Sequence, residues 1–311
     1  MRKCVLLVAM IIAVANFAAF GQPTAGTANQ DLFARGVREF DAKEYDKAIA
    51  TFNQVVLANP NNSAAFYNIG LSYYLTQRYE SSFASFKKAV EIKPDYMLAL
   101  AYGSDSLFVI GRDAEALTYA QKALQLDAEN YVANLNVGRV SAKQKKYVDA
   151  ETYLKKAIAL RPTNLVPKIA LGEVYLDQKK YAEGRTLFNE VLKTDAKNYE
   201  ALIGVGRSYY NANQWAEAIP HYKKATEFYP NNATAFLYFG DANLNSKNYQ
   251  TALAAYTRCL EIDQKNIAAL HHIGLTYINL KDTASARKQY DKLLPLDKER
   301  AAKLLARIEA K

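Results

Sequence analysis

Two cysteines, three histidines and one tryptophan in 311 residues leave little of the material from which metal sites, redox centres and most nucleophilic active sites are made. His271 and His272 are adjacent, so on a helix their rings point to different faces, which is not a chelating spacing, and His221 stands alone. No CxxC, HExxH, GxSxG or phosphate-binding loop is present, and no pair of carboxylates is set apart by its surroundings. The expectation is a chain that is not an enzyme and carries no cofactor or metal. Cysteine scarcity also excludes a disulfide framework.

Long apolar runs are almost as scarce. The one at residues 5–20 follows Arg2 and Lys3 and ends in Ala19-Phe20-Gly21, the layout of a secretory signal peptide cleaved after Gly21. Asn16 interrupts it, and it falls short of the roughly 20 apolar residues that a membrane-spanning helix needs. Cys4 lies ahead of the run, not behind it as a lipid-attachment cysteine would. The expected layout is a signal peptide at 1–21, a linker at 22–28, and a mature protein exported to the periplasm or secreted, with no membrane span. A net charge of +9 is modest for this length. Its lysines come in small groups, such as Lys143 to Lys146 and Lys223-Lys224, and not in one stripe interleaved with aromatics, so no nucleic-acid partner is expected.

Also missing are insertions and deletions. From Asn29 to residue 298 a 34-residue pattern is written eight times, starting at Asn29, Ser63, Met97, Tyr131, Leu165, Tyr199, Ala233 and Ile267. Its plainest mark is a small residue at a fixed interval: Gly36, Gly70, Ser104, Gly138, Gly172, Gly206, Gly240 and Gly274. Such a period means stacked supersecondary units. Within the second unit Phe66, Ile69, Gly70 and Tyr73 form one helical stripe, and after a polar break at Thr76-Gln77-Arg78 a second stripe follows in Tyr79, Phe83, Phe86 and Ala89. Each unit therefore reads as two antiparallel helices.

The junctions carry stop and start signals: Pro60, Pro94, Pro162 and Pro230 end second helices, and Asn62, Asn130, Asn164, Asn198, Asn232 and Asn266 stand where the next helix needs an N-cap. A glycine inside a helix costs about 0.8–1 kcal/mol against alanine, so seven of them need a compensating close contact. The facing position of the second helix is small too: Ala48, Ser82, Ala116, Ala150, Gly184, Ala218, Ala252 and Ala286. Rings one turn on (Phe52, Phe86, Phe188, Tyr222, Tyr256, Tyr290) fill the space between. Cys259 falls where other units have alanine, which predicts a buried small side chain. Two departures stand out. The third unit has Gly111-Arg112-Asp113 in place of the turn tyrosine, which predicts a looser turn, and Pro220 inside a second helix predicts a kink.

These residues resemble the tetratricopeptide repeat. The second unit matches the family pattern in Phe66, Ile69-Gly70, Tyr73, Tyr79, Phe86, Ala89 and Pro94, and the sixth in Leu202, Val205-Gly206, Tyr209, Trp215, Ala218, Tyr222, Ala225 and Pro230. The resemblance implies an all-α fold: a right-handed α-solenoid of eight helix-turn-helix repeats over residues 29–298, closed by a capping helix at 299–311. It also implies that the concave wall, lined by the second, fifth, ninth, twelfth and thirteenth positions of each unit, is a peptide groove. There the first three units place Phe33, Phe40, Tyr67, Tyr74 and Phe108, with Asn68 nearby, suited to anchoring a peptide's side chains and backbone. The alternative is that half of these rings pack against the neighbouring unit.

The ninth position runs Asp105, Arg139, Glu173, Arg207, Asp241, alternating in sign. The charges either pair with one another and set the register of the repeats, or read charges on a guest. The first reading is preferred, because paired charges are less free to bind a guest. The family's clamp for chaperone-tail carboxylates is not matched, since the fifth positions read Phe33, Tyr67, Ala101, Leu135, Ile169, Ile203, Leu237 and His271. The sequence thus leads to a non-catalytic scaffold of the cell envelope holding a protein or peptide segment in its groove. Two rival roles remain, a structural subunit of a secretion, pilus or outer-membrane assembly and an accessory to a wall- or sugar-modifying enzyme.

Overall fold

A computed structural model describes residues 25–310, which form seventeen α-helices with no strand among them. The signal-peptide reading of residues 1–21 lies outside the described residues. Two compact units are distinguished, one running to Pro167 and one starting at Lys168.

The first unit holds four helix pairs: α1 (Ala25–Asp41) with α2 (Tyr45–Ala58), α3 (Ser63–Leu75) with α4 (Tyr79–Ile92), α5 (Met97–Val109) with α6 (Asp113–Leu126), and α7 (Tyr131–Lys143) with α8 (Tyr147–Leu160). The second holds α9 (Val166–Asp177), whose first two residues precede the division, then α10 (Tyr181–Thr194), α11 (Tyr199–Asn211), α12 (Trp215–Phe228), α13 (Ala233–Asn245), α14 (Tyr249–Ile262), α15 (Ile267–Asn279), α16 (Thr283–Leu293) and the final α17 (Lys298–Glu309). Helix α1 begins at Ala25 and takes in residues 25–28, which the sequence reading leaves in the linker. Nothing in Ala25-Gly26-Thr27-Ala28 stops a helix.

Most first helices begin on the residue that opens the repeat, and the cap asparagines explain why. The side-chain oxygens of Asn62, Asn130, Asn198, Asn232 and Asn266 each accept from the backbone N–H three residues on, at 2.9–3.1 Å. Asn164 is the exception. Three residues after it comes Pro167, which has no N–H, so Asn164 Oδ1 accepts instead from Val166 N at 3.0 Å, and α9 opens one residue late.

The turn inside each repeat holds a feature that the sequence reading missed. Its fifteenth residue has positive φ in all eight repeats: Lys43, Gln77, Gly111, Lys145, Lys179, Asn213, Lys247 and Lys281. The next N–H reaches back five residues, as from Arg78 to the Tyr73 carbonyl at 2.9 Å, closing a Schellman motif. The third repeat does the same from Arg112 to Leu107 at 2.9 Å, with Gly111 at φ 82°. Its turn is therefore no looser than the others, because glycine suits the left-handed position and the missing tyrosine does not set the turn. Lysine in that conformation carries a steric cost that glycine avoids. Lys179→Gly and Lys247→Gly are expected to stabilise the protein by about 1 kcal/mol each in urea unfolding, and Gly111→Ala to destabilise it by a similar amount.

The core follows the small-residue pattern. A Cβ added at Gly36, Gly70 or Gly172 would lie 2.7 Å from the ring of Phe52, Phe86 or Phe188 respectively, and at Gly138 the same distance from Leu154. The facing alanines and Ser82 are fully buried, as is Cys259, whose thiol burial pushes up to about 11. In the eighth repeat Leu304 of α17 takes the place beside Gly274. Ala301, Leu304 and Ile308 of α17 are buried with Leu270, Ile278 and Leu293. Helix α12 runs through Pro220 without interruption. Pro220 and Ala216 are both exposed, so the carbonyl that the proline leaves unpaired faces water.

Candidate partner-binding face

Within each unit the first helices pack on one another as well as on their second helices, α5 on α7 and α13 on α15. Side chains at the ninth positions lie between successive first helices, and the candidate residues gather around them.

Five rings were expected on this face of the first unit, and they divide. Tyr67 is buried, with its ring 5.1 Å from Tyr96 and 5.7 Å from Phe86. Tyr74 is buried against Tyr79 and Tyr102 and donates its hydroxyl to Asp105. Both rings therefore pack between repeats. Burial and the neighbouring carboxylate raise the Tyr74 hydroxyl well above its ordinary range. Phe33 and Phe40 are half-buried, set edge-on to Phe52 and Tyr45 at 5.4 and 5.5 Å. Phe108 is also half-buried, with the Arg139 guanidinium 3.8 Å and the Lys143 ammonium 4.2 Å from its centroid. Asn68 spends its amide N–H on the Ala64 carbonyl at 2.9 Å.

Two rungs of the alternating charges form. Arg139 donates to Asp105 at 3.2 Å in the first unit, and Arg207 to Glu173 at 2.7 Å in the second. Asp105 is 7 % exposed and is held by three consecutive repeats, through Tyr74, its own helix and Arg139. Beside it, fully buried Asn136 donates to Ser104 at 2.8 Å. Burial raises the Glu173 carboxyl despite the opposing pull of Arg207. Asp241 pairs with the other side: it accepts from Tyr256 at 2.8 Å and shares a 2.7 Å hydrogen bond with His272 Nδ1. Sequence reasoning gave His272, Tyr256 and Asn136 no part in this face. Tyr256 had been absorbed into the ring pattern, and only an odd polar residue at the sixth position, His272 or Asn136, could have marked the others.

His271 and His272 do part, with centroids 5.6 Å apart and planes at 53°. Burial, then the charges of His272, Arg300 and Arg307, lower His271 to about 4, so it is neutral at pH 7. Because the unfolded chain takes up this proton near pH 6.5 and the folded chain does not, stability falls as pH drops from 6.5 towards 4, by up to about 1.4 kcal/mol per pH unit. His221, lowered by burial and by Lys224 and Arg185, adds in the same sense, while Glu173 opposes it. His271→Gln is therefore expected to flatten the thermal melting temperature against pH between 6.5 and 4 relative to the parent.

The helix pairs, glycine notches and cap register describe one repeat unit, and comparison with known proteins names it. Profiles described as tetratricopeptide repeat match residues 33–96, 104–164 and 206–267, and a second set matches 141–204 and 243–308. The chain belongs to the tetratricopeptide repeat family. Tetratricopeptide repeat proteins act as scaffolds for protein–protein interaction. Among curated relatives, a Protein STIP1 homolog of Dictyostelium discoideum is 29 % identical over 96 residues, covering 31 % of this chain and 17 % of that protein. A Small glutamine-rich tetratricopeptide repeat-containing protein 2 of Mycosarcoma maydis is 28 % identical over 116 residues, covering 37 % of this chain and 32 % of that one. The matched segments thus span a third or less of either relative. A solved tetratricopeptide repeat protein from Parabacteroides merdae has the same fold, with TM-score 0.61, 16 % identity, and 81 % of this chain and 99 % of that chain covered. Cut9 with Hcn1 from the APC/C gives TM-score 0.63 at 16 % identity, with 89 % and 55 % covered.

Proposed function

We propose that this tetratricopeptide protein is a non-catalytic scaffold of the cell envelope that holds an extended or helical segment of a partner along its first helices. The supporting observation is the half-buried apolar row Phe33, Phe40, Leu71 and Phe108, with Val109 exposed beside it. These side chains are already held by packing, Phe33 against Phe52, Phe40 against Tyr45 and Phe108 beneath Arg139 and Lys143, so little entropy is lost when a guest covers them. Asp105–Arg139 and Glu173–Arg207 set repeat register and are already matched. One relative is named Hsp70-Hsp90 organizing protein, from Triticum aestivum. The fifth positions of this chain offer no cation for a tail carboxylate, so that task is not carried over. Residues 1–21 direct export and are removed in this account.

A second reading, a subunit of an envelope assembly, draws on the outer helices, where Leu57 and Val148 are 81 % and 80 % exposed. The two separate in affinity capture from an envelope extract of the host, using the parent, Val109→Glu and a Leu57→Glu/Val148→Glu double variant, each with its helical melt checked. Loss of a partner with Val109→Glu alone supports the first-helix face. Loss with the outer double variant alone supports the assembly reading.

A further inference from the structure

The second unit differs from the first in the charge on its first helices. Four carboxylates lie on α9, α11, α13 and α15 (Glu173, Asp177, Glu200 and Asp241), against only Lys168 and Arg207. Both cations are already committed, Arg207 to Glu173 at 2.7 Å and Lys168 to Glu190 of α10 at 3.0 Å. Asp241 is bonded to His272 and Tyr256. Asp177 is exposed and Glu200 half-buried, and neither is ion-paired among the described residues. The same helices present half-buried Leu237, Tyr210 and Leu275. Yet from Lys168 onwards the chain carries more basic than acidic residues, and those lysines and arginines fall mostly on the second helices, the turns and α17. The second unit, basic overall, therefore keeps an apolar face with an excess of carboxylates on its first helices and most of its cations elsewhere.

We propose that this face of the second unit takes a basic amphipathic peptide segment, its apolar side chains against Tyr210, Leu237 and Leu275 and its lysines or arginines beside Asp177 and Glu200. This rests on the scaffold reading and adds the chemistry of the partner. Net negative charge at the docking face attracts a basic segment and rejects an acidic one, while the repulsive cations elsewhere steer that segment away from the outer helices.

The test uses the full chain and three labelled 20-residue amphipathic peptides with one apolar pattern and lysine, glutamate or glutamine on the polar face. Fluorescence anisotropy at low and high salt is the readout. The lysine peptide is expected to bind tightest and to weaken as salt rises. Asp177→Asn/Glu200→Gln is expected to lower its affinity about five- to tenfold, as two exposed ion pairs would. Glu217→Gln, at an exposed position of α12, is the control and leaves affinity unchanged. Equal binding of all three peptides, or an equal loss with Glu217→Gln, overturns the basic-segment proposal and leaves the scaffold reading standing. Binding of none also overturns it, and the scaffold reading then stands or falls on partner capture.

Discussion

Asp105→Leu is expected to destabilise the first unit by about 3–5 kcal/mol, more than any surface change in the array. The reason is what stays behind. The Arg139 guanidinium loses its anion, and the buried Tyr74 hydroxyl loses its acceptor. The Tyr74 hydroxyl is then a buried donor without its partner, and the guanidinium, partly open to water, keeps only Asn136 Oδ1 at 3.5 Å. Asp105→Asn, which keeps an oxygen for Tyr74, should cost less. Adding Arg139→Met to Asp105→Leu should recover part of the loss, since an apolar pair of similar volume leaves no charge stranded. Repeat arrays unfold regionally, so amide hydrogen exchange is the suitable measurement. Protection should fall across α3, α5 and α7. Equal losses for Asn and Leu would mean that the charge accounts for the whole loss and that the oxygen Asn keeps for Tyr74 contributes nothing.

Phe188→Ala is expected to cost the second unit about 3–5 kcal/mol, the range for emptying a buried aromatic site. Phe188 is fully buried between two glycines: a Cβ at Gly172 would lie 2.7 Å from its ring, and one at Gly204 2.6 Å. This arrangement gives a change of sign that simple cavity formation does not. In the parent, Gly204→Ala pushes on a ring that Gly172 blocks from behind and should destabilise. In the Phe188→Ala background the same methyl enters empty space and gains about 1 kcal/mol of helix propensity, so it should be neutral or stabilising. Urea unfolding of the four proteins in this cycle decides it.

The fold was legible because its determinants are local and periodic. Gly172 and Phe188 recur in register with Gly70 and Phe86, and five cap asparagines sit where a helix must start. Asn164 misled only because its usual donor is a proline. The left-handed turn residue was hidden for a different reason: lysine fills it five times and glutamine, asparagine and glycine once each, so the usual glycine mark of this backbone conformation is absent from seven of the eight repeats. The face was legible in part. Position along a helix predicts direction, so Arg139 and Arg207 were placed correctly between repeats. It does not say whether a ring is covered, which depends on the next repeat: Tyr67 and Tyr74 are enclosed by Tyr96, Tyr79 and Tyr102, whereas Phe33 and Phe108 keep part of their surface. The partner of Asp241 depended on a histidine 31 residues later, outside the ninth-position series.

The central claim, that first helices carry the binding face, is tested most directly by photo-crosslinking in the host. A photoreactive residue is placed at Val109 or Asn211 on first helices, and at Leu57 or Val148 on second helices, all in the full chain. The account predicts a discrete partner adduct from Val109 and Asn211 and none from Leu57 and Val148. The same adduct from Leu57 and Val148, with nothing at Val109 and Asn211, would contradict it.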